Sequence, residues 1–554
     1  MKEALRPQPV VSPLARAARG PDFLITDLME RAARDTPDRP AVIDVGRGGT
    51  AMLTYRELAD RVERAAQGLM DVGVERGEPV CYQLPNWWEF VVISLALVRV
   101  GAVACPLMPI FRDREVRFMV DKSGSRVLIL AERFRSFDYH AMLARIRPEL
   151  PALEHVFTTG AQLPSRVRSV GQLFSALPDP RKLAARRPDP DEVTQLLFTS
   201  GTTGEPKGVL HTHQTLLRAL EAHVGTLGLR SDDTVFVPSP LAHQTGFLYG
   251  MWLSVYLMAT GLYLDRWDSA QAARVIEAHG ARFVQASTPF LKDLVHQDRP
   301  PSSLRMFVAT GASIPRALAA EARQALDCAV IGGWGTTESG LVTVGSPADP
   351  PEKLWQTDGR AIDGMRIRVV DAQGADVPPG TEGRFLVDTP AMFVGYLGHP
   401  DWYRAAFTPD GFFDTGDLAQ LDPEGFMRIT GRSKDVINRG GEKIPVVEVE
   451  EVLYRHPAVS EVAVVAMPDP RLGERSCAFV VARPSVKPPT LAELTEHLSQ
   501  AGMSKTYWPE RLEIVPALPR TPSGKIQKYR LRELVRDLMG QEEAGAPERS
   551  KQLG

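Results

Sequence analysis

The feature of the sequence that most constrains the fold is an alternation of short apolar runs with longer amphipathic stretches. The short runs that are predicted to be strands include residues 41–44, 127–130, 283–286 and 307–310. Between the first two of these, residues 55–69 have the apolar spacing of a helix, and Thr54 is a suitable N-cap. Because strands that alternate with helices build largely parallel sheets, this pattern predicts an α/β body.

The pattern changes in the last third of the chain, where short strands are separated by turn-forming pairs such as Pro379-Gly380. Strands in this β-rich part are predicted at residues 366–370, 383–387 and 425–430. Beyond Gly431 the alternation returns, with helices predicted at 447–454 and 491–499 and strands at 461–466 and 479–482. A chain of 554 residues is too long for one ordinary core, so we expect a large multi-lobed body and a smaller further unit.

Two apolar stretches could be mistaken for membrane spans. Residues 90–111 carry Arg99 midway and Pro106 and Pro109 near their end, which favours a buried helix followed by a strand. Residues 248–264 are short for a span and are predicted to form a core helix. We therefore expect no integral membrane span.

Charge, cysteine use and the N-terminus narrow the class of protein further. The net charge of -3 argues against a nucleic-acid binder that works by bulk electrostatics. The 4 cysteines are scattered without the spacing of a zinc site or a disulfide framework, which fits a reducing compartment. The first residues lack the apolar core of a signal peptide and are predicted to be a loose tail. These features favour a cytoplasmic protein.

The strongest local signal is the segment Thr199-Ser200-Gly201-Thr202-Thr203-Gly204-Glu205-Pro206-Lys207-Gly208, which follows a predicted strand at residues 195–198. Glycines let the backbone turn sharply, and exposed amides, hydroxyls and a lysine offer donors to an anion. A polyphosphate is the best match, although the glycine spacing is not that of a Walker A loop. A surface linker is the alternative, and the strand that leads directly into the loop argues against it.

This loop resembles the signature of the adenylate-forming superfamily, which comprises acyl-CoA synthetases, adenylation domains of peptide synthetases, and luciferases. The resemblance extends from about residue 25 to about residue 538, because several further motifs occur in the family's order. It implies a large N-terminal domain of two α/β layered subdomains plus a β-rich subdomain, with a small mobile α+β C-terminal domain. The implied division is a tail at 1–24, a large domain at 25–431, a hinge at 432–435, a small domain at 436–540 and a disordered tail at 541–554.

The segment Trp334-Gly335-Thr336-Thr337-Glu338 resembles the family's aromatic-Gly-x-Thr-Glu motif. An aromatic face can stack on adenine, a hydroxyl can hold a phosphate, and the carboxylate of Glu338 can help to ligate Mg²⁺. Gly311-Ala312-Ser313 resembles the family's adenine-side turn, although a plain connection from a strand to a helix would look the same. The resemblance as a whole assigns ATP or AMP binding to Thr199, Ser200, Gly201, Thr202, Thr203, Gly204, Lys207, Gly311, Ala312, Ser313, Gly333, Trp334, Gly335, Thr336, Thr337, Asp417, Arg432 and Lys525.

Further motifs lie in the β-rich part and beyond it. By resemblance, Asp417 accepts hydrogen bonds from the ribose hydroxyls, and Arg432 reaches the ribose with its guanidinium. Lys434 falls at the family's hinge position. Gly440 and Gly441 resemble the glycine pair that lines the thiol channel for CoA in relatives. Without the resemblance, Asp417 would be read as part of a solvated turn.

The resemblance assigns catalytic roles to Lys525, Thr337, Glu338 and His243. Alone, Lys525 would be read as an exposed lysine on a turn. In the family's chemistry an ammonium there offsets the repulsion between an attacking carboxylate and the α-phosphate. His243 is expected where the acyl pocket meets the CoA channel, although a lone histidine is more often structural. His211 and His213 lack partners that would complete a metal site, and we interpret them as structural.

The acyl pocket is expected around Phe247, Ser287, Thr288 and Pro289, where the neighbouring sequence is mostly apolar. Amino-acid-activating relatives place an aspartate near His243, and no acidic residue occurs between Ser239 and Tyr256. An unpaired buried ammonium would be costly, so an amino-acid substrate is disfavoured. These segments look most like short- and medium-chain and cyclohexanecarboxylate-type CoA ligases.

The sequence thus predicts an acyl-CoA synthetase that uses ATP, Mg²⁺ and CoA to activate a hydrophobic carboxylic acid through an acyl-adenylate. One alternative is an acyl-AMP ligase that loads the phosphopantetheine of an acyl carrier protein. A second, of another class, is a non-catalytic nucleotide or acyl sensor that retains the fold, and a third is luciferase-type oxidation. We expect a monomer or a homodimer that binds no nucleic acid.

Overall fold

The computed structural model describes residues 4–161, 163–199, 206–311, 316–433, 435–440, 442–521 and 524–545, with the backbone alone at 316, 317 and 540–545. The chain divides into two compact units. The first unit comprises residues up to 312 together with 320–367 and 386–414. The second comprises 313–319, 368–385 and the chain from Thr415 onward.

The strands are β1 (Pro40–Gly46), β2 (Gly49–Thr54), β3 (Pro79–Gln83), β4 (Val103–Pro106), β5 (Val127–Leu130), β6 (Arg133–Phe134), β7 (Phe137–Asp138), β8 (His155–Thr158), β9 (Arg168–Ser169), β10 (Val193–Thr199), β11 (Lys207–Thr212), β12 (Thr234–Val237), β13 (Gly261–Leu264), β14 (Ala281–Ala286), β15 (Met306–Ala309), β16 (Ala329–Thr336), β17 (Gly340–Val344), β18 (Arg360–Ala361), β19 (Arg366–Val370), β20 (Gly383–Asp388), β21 (Gly395–Tyr396), β22 (Phe413–Leu421), β23 (Met427–Arg432), β24 (Ile437–Arg439), β25 (Glu442–Ile444), β26 (Val459–Asp469), β27 (Gly473–Ala482) and β28 (Arg511–Ile514).

The α-helices are α1 (Pro13–Ala17), α2 (Ile25–Asp35), α3 (Tyr55–Asp71), α4 (Trp88–Arg99), α5 (Asp113–Ser123), α6 (Tyr139–Ile146), α7 (Gly171–Phe174), α8 (Pro180–Ala185), α9 (His213–Leu227), α10 (Gln244–Gly246), α11 (Leu253–Tyr256), α12 (Ser269–Ala278), α13 (Thr288–Val295), α14 (Arg316–Leu326), α15 (Pro351–Gln356), α16 (Pro400–Ala405), α17 (Val446–Tyr454), α18 (Leu491–Gln500) and α19 (Lys528–Gly545). Short 3₁₀ turns span Arg147–Glu149 and Lys505–Tyr507, and a π-helical segment, Phe247–Trp252, joins α10 to α11.

Two large sheets organise the first unit. One has the strand order β18-β17-β16-β15-β14-β12-β13-β1-β2, and its strands from β16 to β1 pair in parallel. The other has the order β21-β11-β10-β4-β3-β5-β8-β9, with β11 antiparallel to both neighbours. In such sheets ligands bind beyond the carboxyl ends of the parallel strands. The predicted acyl-pocket residues, His243, Gly311 and Glu338 lie in the segments that follow β12, β14, β15 and β16.

The second unit contains the β-rich part and the C-terminal part of the chain. Its sheets have the strand orders β19-β20-β22-β23 and β25-β24-β27-β26, and β28 pairs with β27. Helices α17 and α18 bury Val449, Leu453, Leu494 and Leu498 in a core with the strands of the second sheet. The predicted α/β architecture with a β-rich part and a smaller α+β C-terminal part is confirmed.

Local predictions agree with the structure where the sequence pattern is clear. Thr54 caps α3, because its side chain accepts a hydrogen bond from the Glu57 backbone. In turn, the Thr54 backbone donates one to the Glu57 carboxylate. The predicted strands at 127–130 and 366–370 coincide with β5 and β19. Residues 90–111 form a buried helix followed by a strand, as expected. No helix in the described ranges has the length and apolar character needed to cross a bilayer.

Three predictions of local structure are wrong. Residues 248–264 are not one core helix, because the helical segment ends at Tyr256 and residues 261–264 form β13. Helix α19 continues to Gly545, so residues 541–545 of the predicted disordered tail are helical. The N-terminal residues are not a loose tail: the Gln8 backbone donates to Val394 O at 2.7 Å, and the fully buried Ser12 side chain donates to Asp388. These contacts join residues that are far apart in the chain, so the local sequence does not predict them.

Helix α9 carries two buried histidines. His213 and His223 lie on α9 itself, and burial lowers the pKa of each to about 3. The His223 ring lies 4.9 Å from the Tyr249 ring and 5.9 Å from the Phe283 ring. Burial favours the neutral form of an imidazole, so both side chains are neutral in the folded protein at neutral pH.

Acidification is therefore expected to destabilise the first unit. Below the unfolded-state pKa of about 6.5, His223 gains a proton when the chain unfolds but not while it stays folded. This difference removes about 2 kcal/mol of unfolding free energy between pH 7.5 and pH 5. The variant His223→Leu should lose that much less stability over this range, as measured by urea denaturation at both pH values. His296→Leu is the control, because the His296 side chain is 44% exposed. An unchanged pH dependence in His223→Leu would contradict the expectation.

Candidate active site

The hairpin of β10 and β11 frames the predicted phosphate loop. Thr199, the last residue of β10, pairs with Lys207, the first residue of β11, and Thr199 Oγ1 donates to Lys207 O at 3.4 Å. Residues 200–205 (Ser200, Gly201, Thr202, Thr203, Gly204 and Glu205) lie outside the described residues. The Lys207 Nζ atom lies 4.9 Å from the ring centroid of Tyr396 and 5.5 Å from that of Trp402. These cation–π contacts hold the lysine at the mouth of the hairpin.

The turn from β16 to β17 carries the predicted Thr-Glu motif. Glu338 Oε1 accepts a hydrogen bond of 3.0 Å from the Tyr396 hydroxyl, and Glu338 O accepts one of 2.8 Å from the Phe393 backbone. Within the turn, Thr336 Oγ1 lies 3.0 Å from Ser339 Oγ. A Cβ at Gly335 would lie 2.3 Å from Gly340 O, so only glycine fits there. Lys207 and Glu338 thus contact the same side chain, that of Tyr396.

His211 connects the hairpin to the same turn. Its Nε2 atom donates to Thr337 O at 2.7 Å, and its Nδ1 atom lies 2.9 Å from Thr215 Oγ1. Burial lowers the pKa of His211 to about 4, so the ring stays neutral. Its interpretation as a structural residue agrees with these contacts, since it holds the backbone of the Thr-Glu turn.

The predicted adenine-side residues lie at the ends of the neighbouring parallel strands β15 and β16. Trp334 lies in β16 and is 9% exposed, and Gly333 precedes it. Gly311 follows β15 with a positive φ of 84°, a conformation that favours glycine. Ala312 and Ser313 lie outside the described residues. Trp334 and Gly311 thus follow the parallel core at the edge where ligands bind in such folds.

His243 lies in the connection from β12 to α10, and Asn86 fixes this connection from another part of the chain. Asn86 Nδ2 donates to Ser239 O at 2.9 Å and to Leu264 O at 3.2 Å, and Asn86 Oδ1 accepts from the Leu241 backbone at 2.8 Å. His243 Nδ1 accepts from the Thr245 backbone at 3.2 Å, which caps α10. The orientation of this loop therefore depends on a buried amide that precedes α4.

The residues predicted to form the acyl pocket are largely buried in the first unit. Phe247 is 0% exposed, and its ring lies 5.8 Å from that of Trp252 within the π-helical segment. Ser287 and Thr288 begin α13 at the end of β14, and Pro289 occupies the first turn. π-Helical turns inside helices are often found at functional sites.

The residues predicted to bind the ribose are neighbours in the second unit. Asp417 on β22 pairs with Arg432 on β23, and Arg432 Nε lies 3.0 Å from Asp417 Oδ1. Asp417 is almost fully buried, whereas the Arg432 side chain is 50% exposed. The buried carboxylate and the half-exposed guanidinium thus form an adjacent pair of acceptor and donor groups.

The remaining predicted residues of the C-terminal part lie at turns. Gly440 has a positive φ of 60° in the tight turn from β24 to β25, and Gly441 and Lys434 lie outside the described residues. Lys525 lies in a turn closed by two bonds to Thr521: the Thr521 backbone donates to Lys525 O at 2.7 Å, and the Lys525 backbone donates to Thr521 Oγ1 at 3.0 Å. Arg520 donates to Gly524 O at 2.6 Å, which tightens the same turn.

Two residues of the site escape prediction from the sequence. Tyr396 is brought to Glu338 by the pairing of β21 with β11. At this position the sequence shows only a tyrosine after a glycine, which does not by itself predict a contact with Glu338. Asn86 precedes α4, and its hydrogen bonds to residues more than 150 positions away cannot be predicted from the local sequence. Among the described residues no group of three or more His, Cys, Asp or Glu side chains forms a metal site.

Comparison with known proteins places the chain in a family. The family model for AMP-binding enzymes matches residues 29–397, and the model for their C-terminal domain matches residues 448–525. The chain therefore belongs to the family of AMP-binding enzymes. The predicted resemblance to the adenylate-forming superfamily and the prediction of an AMP-forming acid–thiol ligase are confirmed.

Individual relatives agree with this class. The chain is 35% identical to the medium-chain fatty-acid–CoA ligase of Escherichia coli K12 over 516 residues, which cover 92% of this chain and 90% of the relative. It is also 35% identical to the salicyl-AMP ligase / salicyl-S-ArCP synthetase of Mycobacterium tuberculosis, with the same coverage. The crystal structure of ATP-bound MatB from Rhodopseudomonas palustris superposes with a TM-score of 0.83 at 26% identity, covering 93% of this chain and 100% of that one.

The Tyr396 hydroxyl should matter for adenylation beyond its contribution to stability. The variant Tyr396→Phe keeps the ring beside Lys207 but removes the donor to Glu338, which should lower the rate of ATP–pyrophosphate exchange by about tenfold. Tyr403→Phe is a matched control, because Tyr403 lies in the same aromatic cluster and its hydroxyl donates to Phe393 O at 3.4 Å. Equal exchange rates in the two variants would show that the Tyr396 hydroxyl does not position Glu338.

Proposed function

We propose that this enzyme activates an apolar carboxylic acid as an acyl-adenylate and transfers the acyl group to free CoA. The observation that supports it most is the constellation of Lys207, Tyr396, Glu338 and His211, which joins the hairpin of the phosphate loop to the Thr-Glu turn. A cation, a carboxylate and a fixed backbone turn are the groups that bind a magnesium–triphosphate complex.

In the proposed first step, the loop from Thr199 to Lys207 binds the triphosphate of ATP through its amides, hydroxyls and the lysine. Trp334 stacks on adenine, and Asp417 and Arg432 bind the ribose hydroxyls. The carboxylate of the acid attacks the α-phosphate, forming an acyl–phosphate anhydride and releasing pyrophosphate. Lys525 offsets the repulsion between the two anions as they meet.

Glu338 fits the role of a magnesium ligand. Its carboxylate accepts one bond from Tyr396, which fixes its orientation without neutralising its charge. Mg²⁺ in nucleotide sites is commonly held by one or two protein carboxylates, phosphate oxygens and water, so one suitably placed glutamate is sufficient. When bound, the ion neutralises charge on the phosphates.

In the proposed second step, a thiolate attacks the acyl carbon, and AMP leaves. His243, Gly440 and Gly441 are assigned to the channel through which the thiol arrives. Because the two steps require different groups at one acyl carbon, we infer a rotation of the small domain about Lys434 between them.

The proposed acid is apolar over most of its length. Phe247 and Trp252 are fully buried beside the predicted pocket, and residues between Ser239 and Tyr256 include no carboxylate to pair with a substrate ammonium. The similarity to the Escherichia coli ligase supports a medium-chain acid with CoA as acceptor.

A carrier protein is the second candidate acceptor, because the Mycobacterium tuberculosis relative of equal identity is named as an S-ArCP synthetase. The test offers octanoate or benzoate, MgATP and CoA, and measures pyrophosphate release and thioester separately. We expect both products with CoA alone. Pyrophosphate release without thioester, followed by acylation of an added holo-carrier protein, would reverse the choice of acceptor.

The role of Lys525 is tested by separating the half-reactions. Lys525→Ala should lose most ATP–pyrophosphate exchange, about 100-fold or more, yet convert supplied acyl-adenylate to thioester at nearly the wild-type rate. Lys505→Ala, at an exposed lysine of the same unit, should affect neither half-reaction. Equal loss of both half-reactions in Lys525→Ala would contradict the assignment.

A further inference from the structure

Buried polar atoms without partners collect where the predicted acyl pocket meets the end of β14. Within the described part of the chain, neither Oε1 nor Nε2 of Gln244 has a hydrogen-bond partner, and the residue is 4% exposed. The same holds for Gln285 Oε1, Ser287 Oγ and Thr310 Oγ1, in residues that are 4%, 5% and 6% exposed. Because buried polar groups are nearly always satisfied in native proteins, such a group of atoms requires an explanation.

The strand geometry places three of these residues on one face of the sheet. Side chains alternate along a strand, so Gln285 and the following Ser287 lie on the same face of β14. In the pairing of β14 with β15, Gln285 is opposite Val308 and Ala286 is opposite Ala309. Continuing this register by one residue places Thr310 opposite Ser287.

The same face is the one covered by the predicted acyl-pocket segment. Phe283 shares this face of β14, and its ring contacts His223 of α9, which in turn contacts Tyr249 of the π-helical segment. Helix α10, which contains Gln244, runs directly into that segment and packs against β14. Gln244 therefore belongs to a helix that packs against β14, and Gln285, Ser287 and Thr310 lie at the carboxyl ends of β14 and β15.

The chemistry of this cluster restricts what could satisfy it. The unpartnered groups are a glutamine amide, a second amide oxygen and two hydroxyls, all of them neutral. Amides and hydroxyls both donate and accept, and a ligand hydroxyl can do the same. An unbranched hydrocarbon tail would bury these atoms without partners, at the full cost of their desolvation.

We propose that the acid bound by this enzyme carries a hydroxyl group on its otherwise apolar body, and that Gln244 with Ser287 and Thr310 forms the subsite that binds it. This inference rests on the proposed function and narrows its substrate class. Gln244 and Ser287 are then specificity-determining residues: they discriminate the hydroxylated acid from the parent hydrocarbon acid, because the parent leaves the amide unsatisfied.

The test measures ATP–pyrophosphate exchange with matched pairs of acids: benzoate with its 2-, 3- and 4-hydroxy derivatives, cyclohexanecarboxylate with its hydroxy derivatives, and octanoate with 3- and 8-hydroxyoctanoate. We expect at least one hydroxylated acid to exceed its parent in kcat/KM by about tenfold or more. If every parent acid is used as well as its hydroxylated derivatives, the inference is wrong and the proposed function stands. If no acid supports exchange, both fail.

Substitutions test whether the preference for a hydroxylated acid depends on this cluster of polar residues. Gln244→Met keeps the length of the side chain and removes the amide, so it should abolish the hydroxyl preference while the parent acid is still used. Gln195→Met is the matched control: Gln195 is fully buried in β10, and neither of its amide atoms has a partner among the described residues. It lies in the other sheet and should leave the ratio of kcat/KM values unchanged.

Ser287→Ala provides a second, smaller perturbation in case Gln244→Met folds poorly, and it should reduce the same ratio severalfold. A hydroxyl preference that survives in both Gln244→Met and Ser287→Ala would overturn the assignment of these residues. An equal change of the ratio in Gln195→Met would also overturn it, because the effect would then not be specific to the subsite.

Discussion

The pairing of β11 with β21 is the constraint on which the site in the first unit depends. β11 carries Lys207 and His211, and β21 carries Tyr396. Because the two strands are hydrogen-bonded neighbours, Tyr396 is brought from a distant part of the chain to the side of Lys207 and to the turn that His211 also contacts. Tyr396 reaches the Glu338 side chain and His211 reaches the Thr337 backbone, so the turn is held from two sides.

Burial, more than neighbouring charges, lowers the pKa of three histidines in the first unit. His211, His213 and His223 are fully enclosed, and burial is the first cause of the lowered pKa in each. A neutral histidine such as His211 can hold a backbone carbonyl without adding positive charge to the candidate site. His211 thus contributes to positioning the Thr-Glu turn, while Lys207 and Glu338 are the charged side chains of this constellation.

Features determined by local sequence were predicted well. The capping box at Thr54 and the strand at 127–130 follow from periodicity and short-range hydrogen bonding, and both are present. The Trp334 to Glu338 motif was recognised as a contiguous pattern. Tyr396 and Asn86 were missed because their roles arise from pairing between segments far apart in the chain. The helix predicted over 248–264 failed because an apolar run does not distinguish a buried helix from a buried strand.

The docking of the N-terminal segment has a practical consequence for work on this enzyme. The Gln8 backbone donates to Val394 O, two residues before Tyr396, and Gln8 Cγ lies 2.8 Å from where a Cβ on Gly395 would be. Ser12 is buried against Asp388 and Thr389 on the same stretch of chain. An affinity tag placed close to residue 8, or a truncation chosen to remove the first dozen residues, would loosen the strand that presents Tyr396. Tags for biochemical studies are therefore better placed at the other end of the chain.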